Sequence, residues 1–386
     1  MKIGILTQPL HNNYGGLMQN YALHQVLRSM GVEPETIDHG SRSLGWLKVY
    51  MSRCKQWMLL HTKSSQRNDV NYQLSKKESL IIGRNTRYFT EKYIKHTFPF
   101  KSPKELLKIV NQGGYDGFVV GSDQCWRPSY SGGFLEEMFL NFVENTENII
   151  RVAYAVSFGT DEWEYSNEMT AKCAKLAKKF NIITVRELSG VDLCKNNLGV
   201  DAVHVLDPTM LLEKKHYEEL IIKENEPLSA GDLFYYILDP SQEKKDFIDK
   251  IAHSENLAPY TIMPRYQAGN RTYNNVKSNI DDCVYPSVTS WLRGFMDAKL
   301  VLVDSFHGAV FSIIFNKPFW VIENSKRGNA RFNSLLKLFH LEDRMISSGG
   351  YDSVDLKACI NWDEVNSILQ NERSRCISLL ENTFNV

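Results

Sequence analysis

The chain has 386 residues, of which 43% are apolar and 23% are charged, and its 45 basic residues equal its 45 acidic residues in number. This composition is typical of a globular protein with a full core, and it excludes a disordered or fibrous chain. The length predicts two domains, and a formal net charge of zero argues against broad electrostatic binding of nucleic acid, although a local basic pocket is compatible with it.

The cysteines and the N-terminus indicate where the protein resides. No two of the seven cysteines have CxxC spacing, and their odd number argues against a disulfide framework, so a reducing compartment is expected. The apolar run Ile3–Leu6 is too short for a signal peptide. No run approaches the ~20 apolar residues of a membrane-spanning helix. We therefore expect a cytoplasmic protein.

The N-terminal segment predicts a βαβ unit. Ile3–Leu6 is a short apolar strand, and His11–Gly16 is a polar loop with two glycines. Leu17–Met30 has apolar residues at helical spacing with Gly31 as its stop, and Glu35–Asp38 is the next strand. This order of elements implies a parallel sheet.

Residues 41–105 interrupt the βα alternation. They contain Trp46, Trp57 and several lysines and arginines but few strand signals. They predict a helical insertion in the N-terminal domain, packed on the edge of the sheet. A second interpretation is a cover over an acceptor site, or a surface that contacts a lipid-linked substrate.

The alternation then resumes and predicts the architecture. Apolar runs predict strands at 117–120, 151–156, 182–185 and 203–206, and, after a polar stretch at 222–232, at 233–238, 260–263, 300–303 and 319–322. A helix is predicted at 362–380. We predict an α/β fold of two Rossmann-like domains facing a cleft, at 1–213 and 230–350, with a C-terminal helix at 360–386. Ligands of open α/β sheets bind at the carboxyl ends of the strands.

His307 is the first candidate for catalysis. The strand at 300–303 runs into a polar turn and then a helix, which places His307 at a helix N-terminus, where free backbone N–H groups favour an anion. Such a histidine can act as an acid or a base near neutral pH. The alternative is a capping or core histidine satisfied by the backbone.

Several cations predict a site for an acidic ligand. Lys326, Arg327 and Arg331 surround Gly328 at the start of another helix, and this loop is either an anion site or a solvated basic loop. Arg186 follows a strand of the first domain and could clamp a carboxylate or phosphate from the opposite wall. Its alternative is a salt bridge with a neighbour such as Glu187.

The N-terminal domain offers polar groups that suit a sugar. Residues 13–16 (Asn13, Tyr14, Gly15 and Gly16) precede a helix, and Gln19 lies in its first turn. Another strand ends at Gly121 and is followed by a mixture of hydroxyl, carboxylate, amide and aromatic groups in Ser122, Asp123, Gln124 and Trp126, and the next strand ends at Ser157. The alternative is a tight turn in which Asp123 caps the next segment.

Familiar catalytic motifs are missing from the sequence. The first loop does not fit GxGxxG, and there is no DxD, HExxH, GxxxxGK[ST] or GxSxG. We therefore expect no metal site. No histidine adjoins Cys125, so nucleophilic catalysis by this thiol is not expected.

Taken together, these motifs resemble the polysaccharide pyruvyl transferase family, in order from residue 2 to about 345. The motifs are Lys2-Ile3-Gly4-Ile5, Asn13-Tyr14-Gly15-Gly16, Gln19-Asn20-Tyr21-Ala22-Leu23, Val120-Gly121-Ser122-Asp123-Gln124, Val185-Arg186-Glu187 with Ser189-Gly190, Leu206-Asp207-Pro208-Thr209 and Ser305-Phe306-His307-Gly308. The resemblance implies a fold like that of GT-B glycosyltransferases. It also implies phosphoenolpyruvate as the donor, a sugar in a glycan or its precursor as the acceptor, a pyruvate ketal as the product, and no further cofactor.

The resemblance also assigns roles to residues. The catalytic histidine of the family corresponds to His307 and its donor-binding arginine to Arg186. Some members have arginine two residues before the histidine, where this chain has Ser305, so Lys326, Arg327 or Arg331 is expected to compensate. Ser305, Gly308 and Asn329 complete the expected donor side, in the C-terminal domain. Asp123 is the candidate base, and the N-terminal domain is the expected acceptor side.

Two alternatives remain open. One is a GT-B glycosyltransferase with a nucleotide-sugar donor, and the other is a non-catalytic glycan-binding member of the family. The sequence does not identify the acceptor sugar or the oligomeric state. It also leaves open a lipid-linked acceptor, which would bring the protein to a membrane surface.

Overall fold

The computed structural model describes residues 1–40, 50–51, 54, 74–267, 271–324, 328–347, 349–351, 354–356 and 358–385. Two of the predicted donor-binding residues, Lys326 and Arg327, lie outside the described residues, as does much of the predicted insertion. Among the described residues, no helix combines the length and apolarity needed to cross a bilayer.

The N-terminal domain is built on a parallel sheet of six strands in the order β2-β1-β3-β4-β5-β6. Its strands are β1 (Lys2–Leu6), β2 (Glu33–Thr36), β3 (Gly117–Val120), β4 (Ile150–Val156), β5 (Ile182–Val185) and β6 (Val203–His204). Because β3 and β4 are buried along most of their length, they read in the sequence as short continuous apolar runs.

Helices cover this sheet and form the described part of the insertion. They are α1 (Tyr14–Ser29), α2 (Lys76–Ile82), α3 (Arg84–Tyr93), α4 (Pro103–Gly113), α5 (Asn167–Ala177), α6 (Leu188–Leu193) and α7 (Lys214–Lys223). The side chain of Asn13 caps α1 by accepting from the N–H of Gly16 at 3.2 Å. Gly31, with φ +73°, follows the helix and permits the left-handed conformation that ends it.

The C-terminal domain is built on a second parallel sheet, of five strands in the order β11-β10-β9-β7-β8. Its strands are β7 (Leu233–Tyr236), β8 (Pro259–Tyr260), β9 (Leu300–Val303), β10 (Phe319–Ile322) and β11 (Met345–Ile346). Its helices are α8 (Gln242–Ser254), α9 (Tyr273–Ser278), α10 (Val288–Asp297), α11 (Phe306–Ile314) and α12 (Ala330–Leu338).

The C-terminal helix, α13 (Trp362–Phe384), packs back on the N-terminal domain. The Arg373 side chain donates to the carbonyl oxygens of Met210 and Leu212, and that of Arg375 to the carbonyl of His204. The strand predicted at 203–206 ends at His204 in the structure, because α13 contacts the residues that follow. The N–H of Leu206 donates to the Sγ of Cys376 on α13 and is not paired with another strand.

Each sheet has one point where the strand order reverses direction. In the first sheet this point lies between β1 and β3, and in the second it lies between β7 and β9. At such a point the adjacent loops leave in opposite directions and open a crevice at the carboxyl ends of the strands. The fold therefore provides two crevices, one in each domain.

The two domains share a continuous apolar core. The ring of Tyr14 at the start of α1 stacks on Trp291 of α10, with centroids 5.8 Å apart. The Tyr14 hydroxyl donates to the carbonyl of Pro286 at 3.0 Å. This contact brings the start of α1 directly against the C-terminal domain.

Candidate functional site

A cavity of about 1310 Å³ lies between the domains. Its walls come from the loops that follow β1 and β3 in one domain and β7 and β9 in the other. Both switch points therefore open into the same space. The N-termini of α1 and α11 also border it, which brings two positive helix ends to one cavity.

His307 is the second residue of α11 and lines this cavity. Ser305 caps the helix, its Oγ accepting from the N–H of Gly308 at 3.1 Å. The imidazole is 8% exposed, and its Nε2 lies 3.5 Å from Oδ2 of Asp207. The prediction that His307 stands at a helix N-terminus on the ligand edge of the second sheet is therefore confirmed in its geometry.

Gly15 allows α1 to reach the His307 ring. A Cβ atom at Gly15 would lie 2.2 Å from Nδ1 and 2.4 Å from Cγ of that imidazole. Both distances are shorter than any contact between non-bonded atoms. Any larger residue would have to displace the ring. Gly15 thus permits the close approach of α1 to the catalytic candidate.

Asp207 is the carboxylate next to His307. It was not among the site residues predicted from the sequence. Its Oδ2 accepts from Ser122 Oγ at 2.7 Å and from Arg186 Nη1 at 2.8 Å, and Thr209 donates to Oδ1. Burial alone would raise the pKa of Asp207, but His307 and Arg186 outweigh burial and hold the pKa well below its usual range. Asp207 therefore supplies a fixed negative charge against the imidazole. The signal was its position directly after a predicted strand.

Arg186 does not line the cavity, in contrast to its predicted role as a clamp on a ligand from the opposite wall. It is 2% exposed, and besides Asp207 it pairs with Oδ1 of Asp123 at 3.4 Å. Its guanidinium lies over the ring of Phe306 at 4.3 Å. The structure thus favours the alternative of an internal salt bridge, although with Asp207 and Asp123 as the hydrogen-bonded partners and not Glu187.

Asp123 lies in the cavity wall with a strained backbone, at φ +75°. Burial would raise the pKa of its carboxyl, but Arg186, His307 and Arg331 together lower it. Oδ1 also accepts from the N–H of Gln124 at 2.9 Å. A carboxylate stabilised in this way is a weak base, which argues against the role predicted for Asp123.

Arg331, in the first turn of α12, is a predicted donor-binding cation that does line the cavity. Burial, with Arg186 nearby, lowers its pKa to about 10, so it remains protonated at neutral pH. Just before this helix, Gly328 packs on the other domain, where a Cβ would lie 2.3 Å from the carbonyl oxygen of Gly159. The start of the helix that carries Arg331 therefore lies close to the N-terminal domain.

The remaining predicted donor residues that the structure describes make internal contacts. Ser305 borders the cavity, but its hydroxyl is used by the helix cap. Gly308 lies beneath it, where a Cβ would collide with Ser305 and Val303. The Asn329 carboxamide donates to Glu323.

The predicted acceptor residues divide into two groups. Those that line the cavity are Asn13, Gly15 and Gln124. Those held in internal contacts away from it are Tyr14, Gly16, Gln19, Ser122, Trp126 and Ser157.

Trp126 is the clearest correction in the second group. Its Nε1 donates to the carbonyl of Met138 at 2.9 Å, and its ring stacks on Phe139 at 4.2 Å. It belongs to the core and offers no face to a sugar. The sequence pattern of an aromatic residue beside polar residues in a loop is the same whether the ring faces solvent or the core. The pattern alone therefore could not distinguish a sugar-binding ring from a core residue.

Sequence reasoning also missed polar groups in the second crevice. Asp304 follows β9 and accepts from the N–H groups of Leu238 and Asp239, at 2.6 and 3.1 Å. Lys244 donates to its Oδ2 at 2.6 Å, and Asn324 borders the same corner. The signal was available, since Asp239 and Asp304 both come shortly after a predicted strand.

Two other expectations concern chemistry outside this cluster. Burial raises the pKa of the Cys125 thiol to about 12, which argues against it as a nucleophile. In the part of the chain that the structure describes, His, Cys, Asp and Glu side chains form no group suited to hold a metal ion.

Comparisons with known proteins agree with this architecture. A family model described as polysaccharide pyruvyl transferase matches residues 13–326. No curated protein sequence matched the chain.

Similarity to solved structures concerns the fold. UDP-GlcNAc 2-epimerase from Methanocaldococcus jannaschii is 14% identical, with a TM-score of 0.52 over 99% of this chain and 100% of the other. The enzyme of the same name from Neisseria meningitidis is 9% identical, with a TM-score of 0.52 over 100% and 99% of the two chains. At these identities the likeness shows the fold alone, and it confirms the predicted GT-B-like α/β architecture.

Proposed function

Because the chain belongs to the polysaccharide pyruvyl transferase family, we propose that it transfers the pyruvyl group of phosphoenolpyruvate to a sugar of a polysaccharide or its precursor, forming a pyruvate ketal. Membership of the family makes the protein a transferase. The observation that carries the finer proposal is the placement of His307, backed by Asp207, in a cavity that Arg331 also lines.

The donor is a small molecule with a phosphate and a carboxylate, so its site must supply positive charge. Arg331 is protonated and lies in the cavity wall, and guanidinium groups bind carboxylates and phosphates with two hydrogen bonds. The N-termini of α1 and α11 add partial positive charge from the two domains. These features support a dianionic or trianionic ligand between the domains.

The reaction requires an acid that protonates the methylene carbon of the donor. His307 suits this role because the ionised Asp207 stabilises a positive charge on its ring. Protonation makes the neighbouring carbon electrophilic, and a sugar hydroxyl then attacks it. Loss of phosphate and attack by a second hydroxyl complete the ketal.

The cavity has room for both substrates. Its volume of about 1310 Å³ exceeds the ~300–1,000 Å³ of pockets that bury drug-sized ligands, and phosphoenolpyruvate is smaller than these. The remaining space is lined by polar groups such as Asn13, Gln124 and Asn324, which suit sugar hydroxyls. Such space supports a saccharide acceptor bound next to the donor.

The test is a product assay on a panel of saccharide acceptors. We expect phosphate release from phosphoenolpyruvate that depends on acceptor, and a ~10²–10⁴-fold loss of kcat in His307→Ala. A full rate in that variant would remove His307 from the mechanism. Release of nucleoside diphosphate from a nucleotide sugar, with phosphoenolpyruvate inert, would instead support a glycosyltransferase. Donor binding without turnover on any acceptor would support a glycan-binding protein.

A further inference from the structure

The proposed reaction needs a base as well as an acid, because the sugar hydroxyl must lose its proton as it attacks. Asp123 was the candidate from the sequence, but its carboxylate is stabilised by Arg186, His307 and Arg331 and is a weak base. The described cavity wall holds another titratable group in the same place, the imidazole of His11.

His11 lies in the loop between β1 and α1, at the switch point of the first sheet. It lines the cavity together with Asn13, Gly15 and His307, and its side chain is exposed to solvent there. No described residue forms a hydrogen bond with its ring. Both ring nitrogens are therefore available to a ligand.

A third histidine that lines the cavity, His39, provides a contrast. It is buried, and its Nε2 is held by the carbonyl oxygen of Thr7 at 2.9 Å. Burial lowers its pKa to about 4. His39 is thus engaged by the backbone, whereas within the described part of the chain the ring of His11 has no such partner.

Burial within the cavity favours the neutral form of the His11 ring. The surrounding cavity walls lower its pKa, and the negative charge of Asp123 opposes this effect only in part. Among the described residues, Asp123 on the loop after β3 and His39 after β2 are the titratable groups coupled to it. A neutral imidazole with a free nitrogen is the form that can accept a proton at neutral pH.

We propose that His11 is the base that accepts the proton of the attacking sugar hydroxyl, opposite the acid His307. This assignment rests on the proposed function. The base then belongs to the N-terminal domain and the acid to the C-terminal domain, and the donor and acceptor bind between them. The two imidazoles lie in different surroundings, one exposed in the cavity wall and one buried beside Asp207.

The protons balance over the whole reaction. His11 takes the proton of the first hydroxyl as its oxygen bonds to the central carbon, while His307 gives a proton to the methylene carbon. The bond from that carbon to the phosphate oxygen breaks, and His11 returns its proton to the leaving phosphate. The second hydroxyl then attacks and gives its proton to His307. Both imidazoles end in their starting forms, and no further reactant is required.

Exposure of His11 permits a test that a structural role would not pass. In His11→Gly we expect kcat for acceptor-dependent phosphate release to fall ~10²-fold or more, with the Kd for phosphoenolpyruvate within about threefold of wild type. Added imidazole can enter the open cavity and should restore part of the lost kcat. His307→Gly, whose ring site is buried under Gly15 and Asp207, should not be rescued.

The matched control is His253→Gln, which makes a comparable change on the exposed end of α8 and should keep the wild-type rate. A wild-type kcat in His11→Gly would overturn the assignment. So would a low kcat that imidazole cannot raise. If the wild-type protein itself releases no phosphate from phosphoenolpyruvate with any acceptor, the proposed function fails, and that result is distinct from an active enzyme indifferent to His11.

Discussion

Nε2 of His307 in the C-terminal domain lies 3.5 Å from Oδ2 of Asp207 in the N-terminal domain. The acid candidate and its carboxylate partner therefore meet only when the two domains are packed together. The stacked pair Tyr14 and Trp291 maintains that packing close by. The pairing of these two residues thus depends on the domain interface.

Replacing Asp207 with asparagine should lower kcat while leaving donor affinity nearly unchanged. The Asp207→Asn variant keeps the size of the side chain and an acceptor oxygen but removes the negative charge beside His307. We expect a ~10²-fold loss of kcat, within the usual value of acid–base catalysis, and a KM for phosphoenolpyruvate within a few-fold of wild type.

Asp201→Asn, at an exposed position shortly before β6, is the control and should behave as wild type. An Asp207→Asn enzyme with normal kcat would contradict the role of Asp207. So would one whose loss appears wholly in the KM for the donor.

Removal of the Arg331 guanidinium should weaken donor binding. Arg331→Ala is expected to raise the KM for phosphoenolpyruvate at least ~10-fold, because a charge-assisted hydrogen bond contributes roughly 1.5–3 kcal/mol. Arg331→Lys should recover part of the affinity, since it keeps the charge but not the planar fork. Lys337→Ala, on the exposed side of the same helix, should leave donor kinetics unchanged. Equal effects of Arg331→Ala and Lys337→Ala would argue against a donor site here.

Gly15→Ala should impair turnover through steric displacement of His307. The new methyl would lie 2.2 Å from Nδ1, so the ring must move away from Asp207 or α1 must shift. Because misplacement of a reacting group by ~1 Å can cost ~10²-fold in rate, we expect a loss of this order. Steady-state kinetics and thermal unfolding on the same sample distinguish displacement from unfolding. A variant with normal kcat would show that the ring tolerates the change.

Arg186→Ala should destabilise the protein in the absence of any ligand. The guanidinium is buried between Asp207 and Asp123, and removing one partner of a buried pair leaves uncompensated charge, which typically costs about 3–5 kcal/mol. Chemical unfolding of the free protein measures this loss. An unchanged free energy of unfolding, combined with weaker donor binding, would instead support the ligand clamp predicted from the sequence.

Acid should destabilise the wild-type protein more steeply than Asp207→Asn. The folded-state pKa of Asp207 is depressed below the value of about 3.9 in the unfolded chain, so its contribution is present above that value. The contribution is lost as the pH falls from about 5 toward the folded-state pKa. Burial raises the pKa of Glu187, so this residue adds stability as the pH falls. Its contribution is the same in both proteins and cancels when their slopes are compared. Parallel slopes of unfolding free energy between pH 4 and 2 would contradict this account.

Local patterns in the sequence were sufficient for most of the strands and their order, although β11 was not predicted. The apolar runs at 117–120, 182–185, 300–303 and 319–322 are strands with those bounds, and Gly31 follows the end of α1 as expected. Placement of His307 at a helix N-terminus also followed from sequence alone. These features depend on interactions within a few residues, such as side-chain periodicity, helix capping and left-handed glycine, so the neighbouring sequence contains the information.

Only the tertiary structure decided which polar residues face the cavity and which pair with each other. Asp207, Ser122 and Arg186 are far apart in the sequence yet hydrogen-bond behind His307, and Trp126 turns into the core. The side chain of His11, by contrast, is exposed in the cavity wall. Burial and ion pairing are set by how distant segments pack, and a polar residue after a strand reads the same whether it turns toward ligand or toward another chain segment.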